Sequence, residues 1–406
     1  MPEATLSPVA GVRPQATIPR YHSLDRLRAI VMMLGVVRHS AMSYEPTVFA
    51  AWPYRDADAD ILAHWVIVFI RVFQLPVFFA ISGFFAAYLL ETRGIQAFLR
   101  QRWSRIGVPF LVAWPVLAVT MYFIVPFTAQ FSSVPPTHVY SLEELTSSGA
   151  LRYLFMHLWF LYHLMILCVV AGAMSLLARR IPAAARERVL DFLERVVHRG
   201  GIGVLAVLAG VVLYRMESWA IDYYAGPLPP LRMLGLFGLF FAFGWLLFRR
   251  REALEGFKRP AWISLAAGAI CFVGYLAFLE LGCNPDPGKT CTGTSEVHHL
   301  GAVVFLSLSM WFLAYGLFGL FLRYMNHPSP RWRYMADASY WIYIVHVPFV
   351  ILLPLLLANM PAPGIVKVAL VVAMATGLIL VTYRYFVRST FIGEQLNGRR
   401  YPRAAS

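Results

Sequence analysis

Three histidine-bearing stretches carry the side chains best suited to moving a proton. Arg38 and His39 lie together inside an apolar run, and Arg28 stands eleven residues before His39. On a helix, eleven residues make three turns plus ~20°, so Arg28 and His39 share one face about 16 Å apart along the axis. A neutral imidazole can take a proton near pH 7, which makes His39 the best candidate base. A plainer reading is also open, with Arg28 as a positive anchor at the membrane surface and His39 as a packed core histidine. Arg38 counts against it, because a buried guanidinium needs an anionic partner. The second stretch, His157-Leu158-Trp159-Phe160-Leu161-Tyr162-His163, holds two histidines about 240° apart around a helix, which cannot both face one site. The third reads Ser339-Tyr340-Trp341-Ile342-Tyr343-Ile344-Val345-His346-Val347-Pro348. There Ser339, Tyr343 and His346 recur at i, i+4 and i+7 as a polar stripe on an apolar helix, fit for a site or for hydrogen bonds between helices.

A fourth stretch runs from Arg71 through Gln74-Leu75-Pro76 to Ser82-Gly83-Phe84-Phe85. Pro76 frees a backbone carbonyl and predicts a kink, while Ser82-Gly83 permits close approach of another helix. Packing explains that much, but not Arg71. No nucleophile elbow, phosphate-binding Gly loop, dinucleotide fingerprint or zinc motif is present, and no metal ligand set is expected.

These groups sit in a chain of 406 residues that is 59% hydrophobic and 14% charged, against about 25% charged in soluble proteins. The pattern predicts an all-α, polytopic transmembrane bundle with about ten spans. They lie near 27–44, 61–90, 106–126, 154–178, 201–216, 231–248, 261–281, 300–322, 339–358 and 364–387. The net charge of +14 is not the footprint of a nucleic-acid binder, because the arginines punctuate apolar spans. Bases crowd alternate loops: Arg93, Arg100, Arg102 and Arg105 in one, Arg249, Arg250 and Arg251 in another. The intervening loops are poor in bases and hold Asp56, Asp58, Asp60, Glu143 and Glu144. By the positive-inside rule both termini are cytoplasmic. Residues 1–22 read as a disordered cytoplasmic tail and 391–406 as a second tail, around one membrane unit at 23–390. Residues 181–199 suit an amphipathic helix on the membrane surface. Cys283 and Cys291 share one polar loop, where a disulfide and two free thiols both fit.

Taken together, the motifs resemble those of the acyltransferase-3 superfamily of integral membrane acyltransferases. The matching residues are Arg28 with ten residues and then His39, the Phe78-Phe79…Ser82-Gly83 segment, Arg102-Trp103-Ser104-Arg105, and Ser339-Tyr340…Tyr343…His346-Val347-Pro348. All four occur in family order over about residues 21–390. His157-Leu158-Trp159-Phe160-Leu161 resembles the branch that succinylates periplasmic glucans, and the carboxylate motif that many O-acetylating relatives carry near this position is absent.

The resemblance implies a multi-pass protein of the bacterial inner membrane. It would move an acyl group, succinyl favoured and acetyl possible, from cytoplasmic acyl-CoA to a hydroxyl of an extracytoplasmic glycan. No cofactor would be bound permanently; acyl-CoA is a substrate, and the partners are the glycan and the bilayer, with a homo-oligomer left open. Arg28, Arg102 and Arg105 would meet the phosphates of the donor, since guanidinium suits phosphate. His39 would act as base or become acylated, with Ser82, Tyr343 and His346 orienting it or stabilising the oxyanion. Arg38 and Arg71 could pair with the free carboxylate of a succinyl group, and His157 and Trp159 would complete the substrate site. A secondary transporter of a small anionic or sugar solute is the alternative, and a receptor in glycan assembly a third. The transporter leaves the four motifs unexplained, and the receptor would not need His39.

Overall fold

The computed structural model describes residues 21–46, 52–133, 153–282 and 295–402. Among these, every regular element is helical. The chain begins with α1, His22–Ala41, followed by α2, Ile61–Arg102. A π-helical turn, Trp103–Gly107, joins α2 to α3, Val108–Ala129. Next come α4, Trp159–Ala178, α5, Ala183–Leu213, and α6, Leu231–Arg249. The series ends with α7, Ala261–Gly282, α8, Glu296–Tyr324, α9, Pro330–Leu352, α10, Gly364–Thr382, and the short α11, Phe391–Asn397.

Among the described residues, seven helical stretches are long and apolar enough to cross a membrane. The first of these, Ile61–Ala129, runs through both α2 and α3. Two expected spans fall short of that description: α1 carries Asp25, Arg26, Arg28 and Arg38, and Gly201–Leu213 is short. α2 also has a break beyond the expected span 61–90. Pro76 lies within the helix, and the residue with non-helical angles is Gly94, at φ 76°. Proline at Pro76 costs one backbone hydrogen bond but keeps helical φ, whereas φ near +76° is open chiefly to glycine. A second glycine break, Gly201 at φ 51°, ends the surface part of α5. Val189, Phe192 and Leu193 are exposed there, as an in-plane amphipathic helix requires. Val112, Val116, Val119 and Phe123 on α3 and Ile263, Ile270 and Val273 on α7 are exposed as well. Apolar faces of that extent suit lipid rather than water. Cys283 and Cys291 lie outside the described residues.

α1 is the hub, packed against α2, α9, α10 and α8. Side-chain pairs give the directions. Gln74 meets Val31 while Phe84 meets Tyr21, so α2 runs antiparallel to α1. Arg26 lies on Trp332 and His39 meets His346, so α9 runs parallel to α1. Phe79 stacks on Phe237 and Phe84 meets Phe248, so α6 runs parallel to α2. On the far side of α6, Phe240 stacks on Trp311 of α8 at 4.0 Å, and Trp311 is fully buried. Aromatic contacts of this kind fill the bundle where lipid supplies no hydrophobic drive between helices.

Candidate active site

His39 lies in the last turn of α1, half-buried, where the helix tightens into the 3-10 turn Met42–Tyr44. Its Nδ1 is 2.9 Å from Nε2 of His346 on α9 and 2.9 Å from the Gly35 carbonyl one turn below. The proton positions follow from the partners. Nδ1 of His346 lies 2.7 Å from the Tyr343 carbonyl oxygen, which can only accept. A neutral His346 therefore donates from Nδ1 and presents a lone pair at Nε2. His39 then donates from Nδ1, sharing that proton between His346 and Gly35, and its own Nε2 carries the free lone pair. The pair is thus built as a base with an orienting partner, the arrangement that sets the tautomer of a catalytic imidazole. Gly35 leaves room for it: a Cβ there would lie 3.3 Å from Gln74 Nε2 and 4.0 Å from His346 Nε2.

His157 joins them from the 3-10 turn Met156–Leu158. Its ring centroid is 5.0 Å from that of His346 and 6.4 Å from that of His39, and its Nε2 donates to the Ile344 carbonyl at 3.0 Å. Met156 before it has φ 45°, a left-handed conformation that an L side chain rarely adopts. The Tyr223 hydroxyl holds the Met156 carbonyl at 3.2 Å. His163 turns away, as the spacing requires, and bonds the Trp159 carbonyl.

Tyr343 sits beside the cluster, but its hydroxyl donates to the His157 carbonyl at 2.7 Å. It orients His157 and, through its own carbonyl, His346, rather than pointing at His39. Ser339, lower on the same stripe, bonds the Ala336 carbonyl of its own helix. Ser82 is not brought to His39. Two residues on, Phe84 packs against Tyr21, which lies eighteen residues before His39. That is about 27 Å along α1 at 1.5 Å per residue. Gly83, the neighbour of Ser82, packs on Phe241 at the crossing of α2 and α6.

Arg38 and Arg71 do meet. Together with Gln74, Trp159, Asp222 and Tyr223 they line one cleft. Arg71 donates to the Ile221 carbonyl, and Arg38 Nε is buried without a hydrogen bond among the described residues. The cleft holds one carboxylate, that of Asp222, and it is already engaged by Arg232 at 2.8 Å and by the Ser218 hydroxyl and amide. Burial alone would push the Asp222 carboxyl up, but the Arg232 bond and the amides of Glu217 and Ser218 outweigh it and hold it below the usual range. Asp222 is thus bonded first to Arg232, while its charge and that of Glu45 act on Arg71 through space.

The third arginine group lies at the other end of α1. Arg28 pairs with Asp25 at 3.3 Å and lies over the Phe85 ring. Its charge acts on both Arg102 and Arg105. Arg102 lies over Phe98, and its Nε is buried without a partner among the described residues. Arg105 donates to the Leu396 carbonyl of α11 at 3.0 Å, and Gln395 bonds the Ser104 hydroxyl at 2.9 Å. The last segment of the chain is thus packed onto this end. A cleft beside it is lined by His22, Asp25, Arg26, Trp332 and Arg333.

Two further features of the histidine cluster lie outside the four motifs. Trp52 stacks on His39, centroids 5.9 Å apart and planes at 12°, and its indole donates to Ser43 at 2.9 Å. Lys367, buried inside α10, binds Asp56 and Asp58 of the segment that carries Trp52. The one sequence signal for the second is a lysine in an otherwise uncharged apolar span.

The family model described as an acyltransferase domain matches residues 21–384. Glucans biosynthesis protein C of Salmonella heidelberg (strain SL476) is 22% identical over 395 residues, covering 94% of this chain and 95% of that protein. The protein of the same name from Salmonella agona (strain SL483) is 24% identical over 396 residues, with the same coverage. No solved structure matches the chain.

Proposed function

The chain belongs to the acyltransferase-3 family of membrane acyltransferases, and from that premise we propose that it carries an acyl group from cytoplasmic acyl-CoA to a hydroxyl of an extracytoplasmic glucan. The observation that carries the proposal is the His39–His346 pair. A tautomer-fixed base stands on the same helix face as Arg28, with the phosphate-suited Arg102 and Arg105 beside that arginine.

In this reading the phosphates of the donor lie against Arg28, Arg102 and Arg105. The neighbouring cleft, with the Trp332 indole and Arg333, suits the purine end. The acyl arm rises along α1. His39 Nε2 takes the proton of the acceptor hydroxyl as its oxygen bonds to the thioester carbonyl carbon. The C–S bond then breaks and the proton passes to the departing thiolate, giving an O-ester and free CoA. The imidazolium formed in between is stabilised by its Nδ1–H bond to His346. Prior acylation of His39 by the thioester is the variant of the same scheme.

Direction of the helices fits ten crossings with both termini on one face, and the arginine-rich loops on that face favour the cytoplasm. The parallel run of α1 with α9, and of α2 with α6, requires an even number of crossings from one to the other. The two short members, α1 and Gly201–Leu213, complete the count beside the longer helices.

Succinyl is favoured as the acyl group because Arg38 and Arg71 line a cleft in which Asp222 is already paired. A terminal carboxylate there would meet charge-assisted donors. Arg71→Leu is expected to lower succinyl transfer by roughly 10- to 100-fold, the equivalent of one charge-assisted hydrogen bond, with acetyl transfer much less affected. The test is CoA release by purified protein in nanodiscs, with acetyl-CoA and succinyl-CoA offered side by side, with and without a soluble β-glucan. Equal loss for both donors in Arg71→Leu would remove the carboxylate assignment. No release with either donor, from folded protein with glucan present, would remove the proposed reaction.

A further inference from the structure

The segment from Trp52 to Asp60 lies across the end of α1 that bears His39 and is tied down along its length. Asp56 and Asp60 donate their amides to the Ser43 and Tyr44 carbonyls at 2.9 and 2.8 Å. Asp60 then bridges two helix starts, accepting from Leu62 of α2 at 2.9 Å and from Ile365 of α10 at 2.8 Å. The centre of the network is Lys367, which has no exposed surface. Its ammonium donates to Asp56 at 3.0 Å, to Asp58 at 2.7 Å and to the Ala358 carbonyl at 3.5 Å, which accounts for all three of its protons. Asp56 is itself buried and also accepts from Tyr54 at 3.1 Å. Gly364 lets the segment and α10 touch, since a Cβ there would lie 2.4 Å from the Asp58 carbonyl oxygen.

A buried lysine in an apolar span is costly to keep and is poor evidence for stability alone. Its placement has a definite consequence. Ser43 receives the Asp56 amide on its carbonyl and the Trp52 indole on its hydroxyl, and Trp52 stacks on His39. The ion cluster therefore fixes the indole on the base through one shared serine. Of the aromatic residues on this segment, Tyr54 is fully buried in the brace, whereas Trp52 is only half-buried. An indole face beside the base is suited to the C–H face of a pyranose.

We propose that Trp52 stations the acceptor sugar at His39, and that Lys367 and Asp56 are positioning residues that hold Trp52 there. The proposal rests on the glycan-acylating reading above, and its test separates the two. In nanodiscs, kcat and KM would be measured for succinyl-CoA and for a soluble β-glucan in wild type, Trp52→Ala, Trp52→Phe and the double variant Lys367→Met/Asp56→Asn. The double variant removes both charges and so leaves no buried ion alone. Trp52→Ala and the double variant are expected to lower kcat/KM for the glucan by about 10²-fold, as misplacement of a substrate does. KM for the donor should stay unchanged, and Trp52→Phe should recover most of the loss. Carbethoxylation of His39 by diethylpyrocarbonate, followed by peptide mass spectrometry, should be several-fold faster in the double variant than in wild type. Parallel loss for donor and glucan, or a wild-type glucan profile in Trp52→Ala, would overturn the role of Trp52. Unchanged His39 carbethoxylation in a folded double variant would overturn the brace, and that result holds even if no donor is turned over. Trp52→Ala touches no ion pair, so it decides the acceptor role should the double variant fail to fold.

Discussion

Replacing His39 with Ala is expected to lower acyl transfer by about 10²- to 10⁴-fold, the range that a positioned general base contributes. The loss should appear in kcat with both donors, since Arg28, Arg102 and Arg105 stay in place to bind the phosphates. His346→Ala should cost less. It removes the acceptor of the His39 Nδ1 proton, but the Gly35 carbonyl at 2.9 Å still holds that proton in the same tautomer. A fall of about 10- to 10²-fold is expected there, read against the full loss at His39. His346→Gln is the informative companion, because its amide oxygen can accept the same bond and should recover part of the rate. Steady-state CoA release over a donor titration separates these cases. A His346→Ala variant as inactive as His39→Ala would mean that the Gly35 carbonyl does not hold the tautomer alone and that the two histidines act as a unit.

The largest effect on folding is expected at the crossing of α2 and α6. A Cβ on Gly83 would lie 1.9 Å from the Phe241 carbonyl oxygen, and one on Gly244 would lie 1.8 Å from the Ala80 carbonyl oxygen. The obstacle in each case is backbone, so no rotamer change can relieve it. The two glycines face each other's helix reciprocally, the small-residue packing by which membrane helices approach. Alanine would gain about 1 kcal/mol in helix propensity, while overpacking costs about 1–3 kcal/mol and more where nothing yields. The clash should win, and Gly83→Leu or Gly244→Leu should leave little folded protein. Melting temperature and monodisperse yield after detergent extraction measure this. The two sites touch, so Gly83→Ala and Gly244→Ala should not add independently. A Gly83→Leu protein that melts like wild type would contradict the crossing.

Much of the site could be read from the residues because it depends on spacing within one helix. The shared face of Arg28 and His39, the divergence of His157 and His163, and the stripe bearing His346 are properties of 3.6-residue periodicity. The errors come from what periodicity omits. Ser82 and His39 each fall in a local pattern of polar residues in an apolar helix, yet nothing in either pattern tells the height of one helix against the other. Only the Tyr21–Phe84 and Val31–Gln74 contacts reveal that Ser82 lies near the far end of α1. Tyr343 faces the right way, but its hydroxyl was free to choose a partner and the backbone of His157 is nearer. The break at Gly94 was not expected, because only its backbone angles, at φ 76°, mark it and no neighbouring residue announces them. Lys367 and Asp56 are 311 residues apart, and only the fold joins them.

The measurement that tests the central claim most directly follows the acyl group itself. Succinyl-CoA labelled with ¹³C in the succinyl group would be incubated with a soluble β-glucan and the purified protein in nanodiscs, and the glucan would be examined by mass spectrometry. The account predicts succinylated glucan with wild-type protein and none above background with His39→Ala. Labelled glucan formed equally by His39→Ala, or succinyl-CoA left intact by a folded wild-type protein, would contradict it.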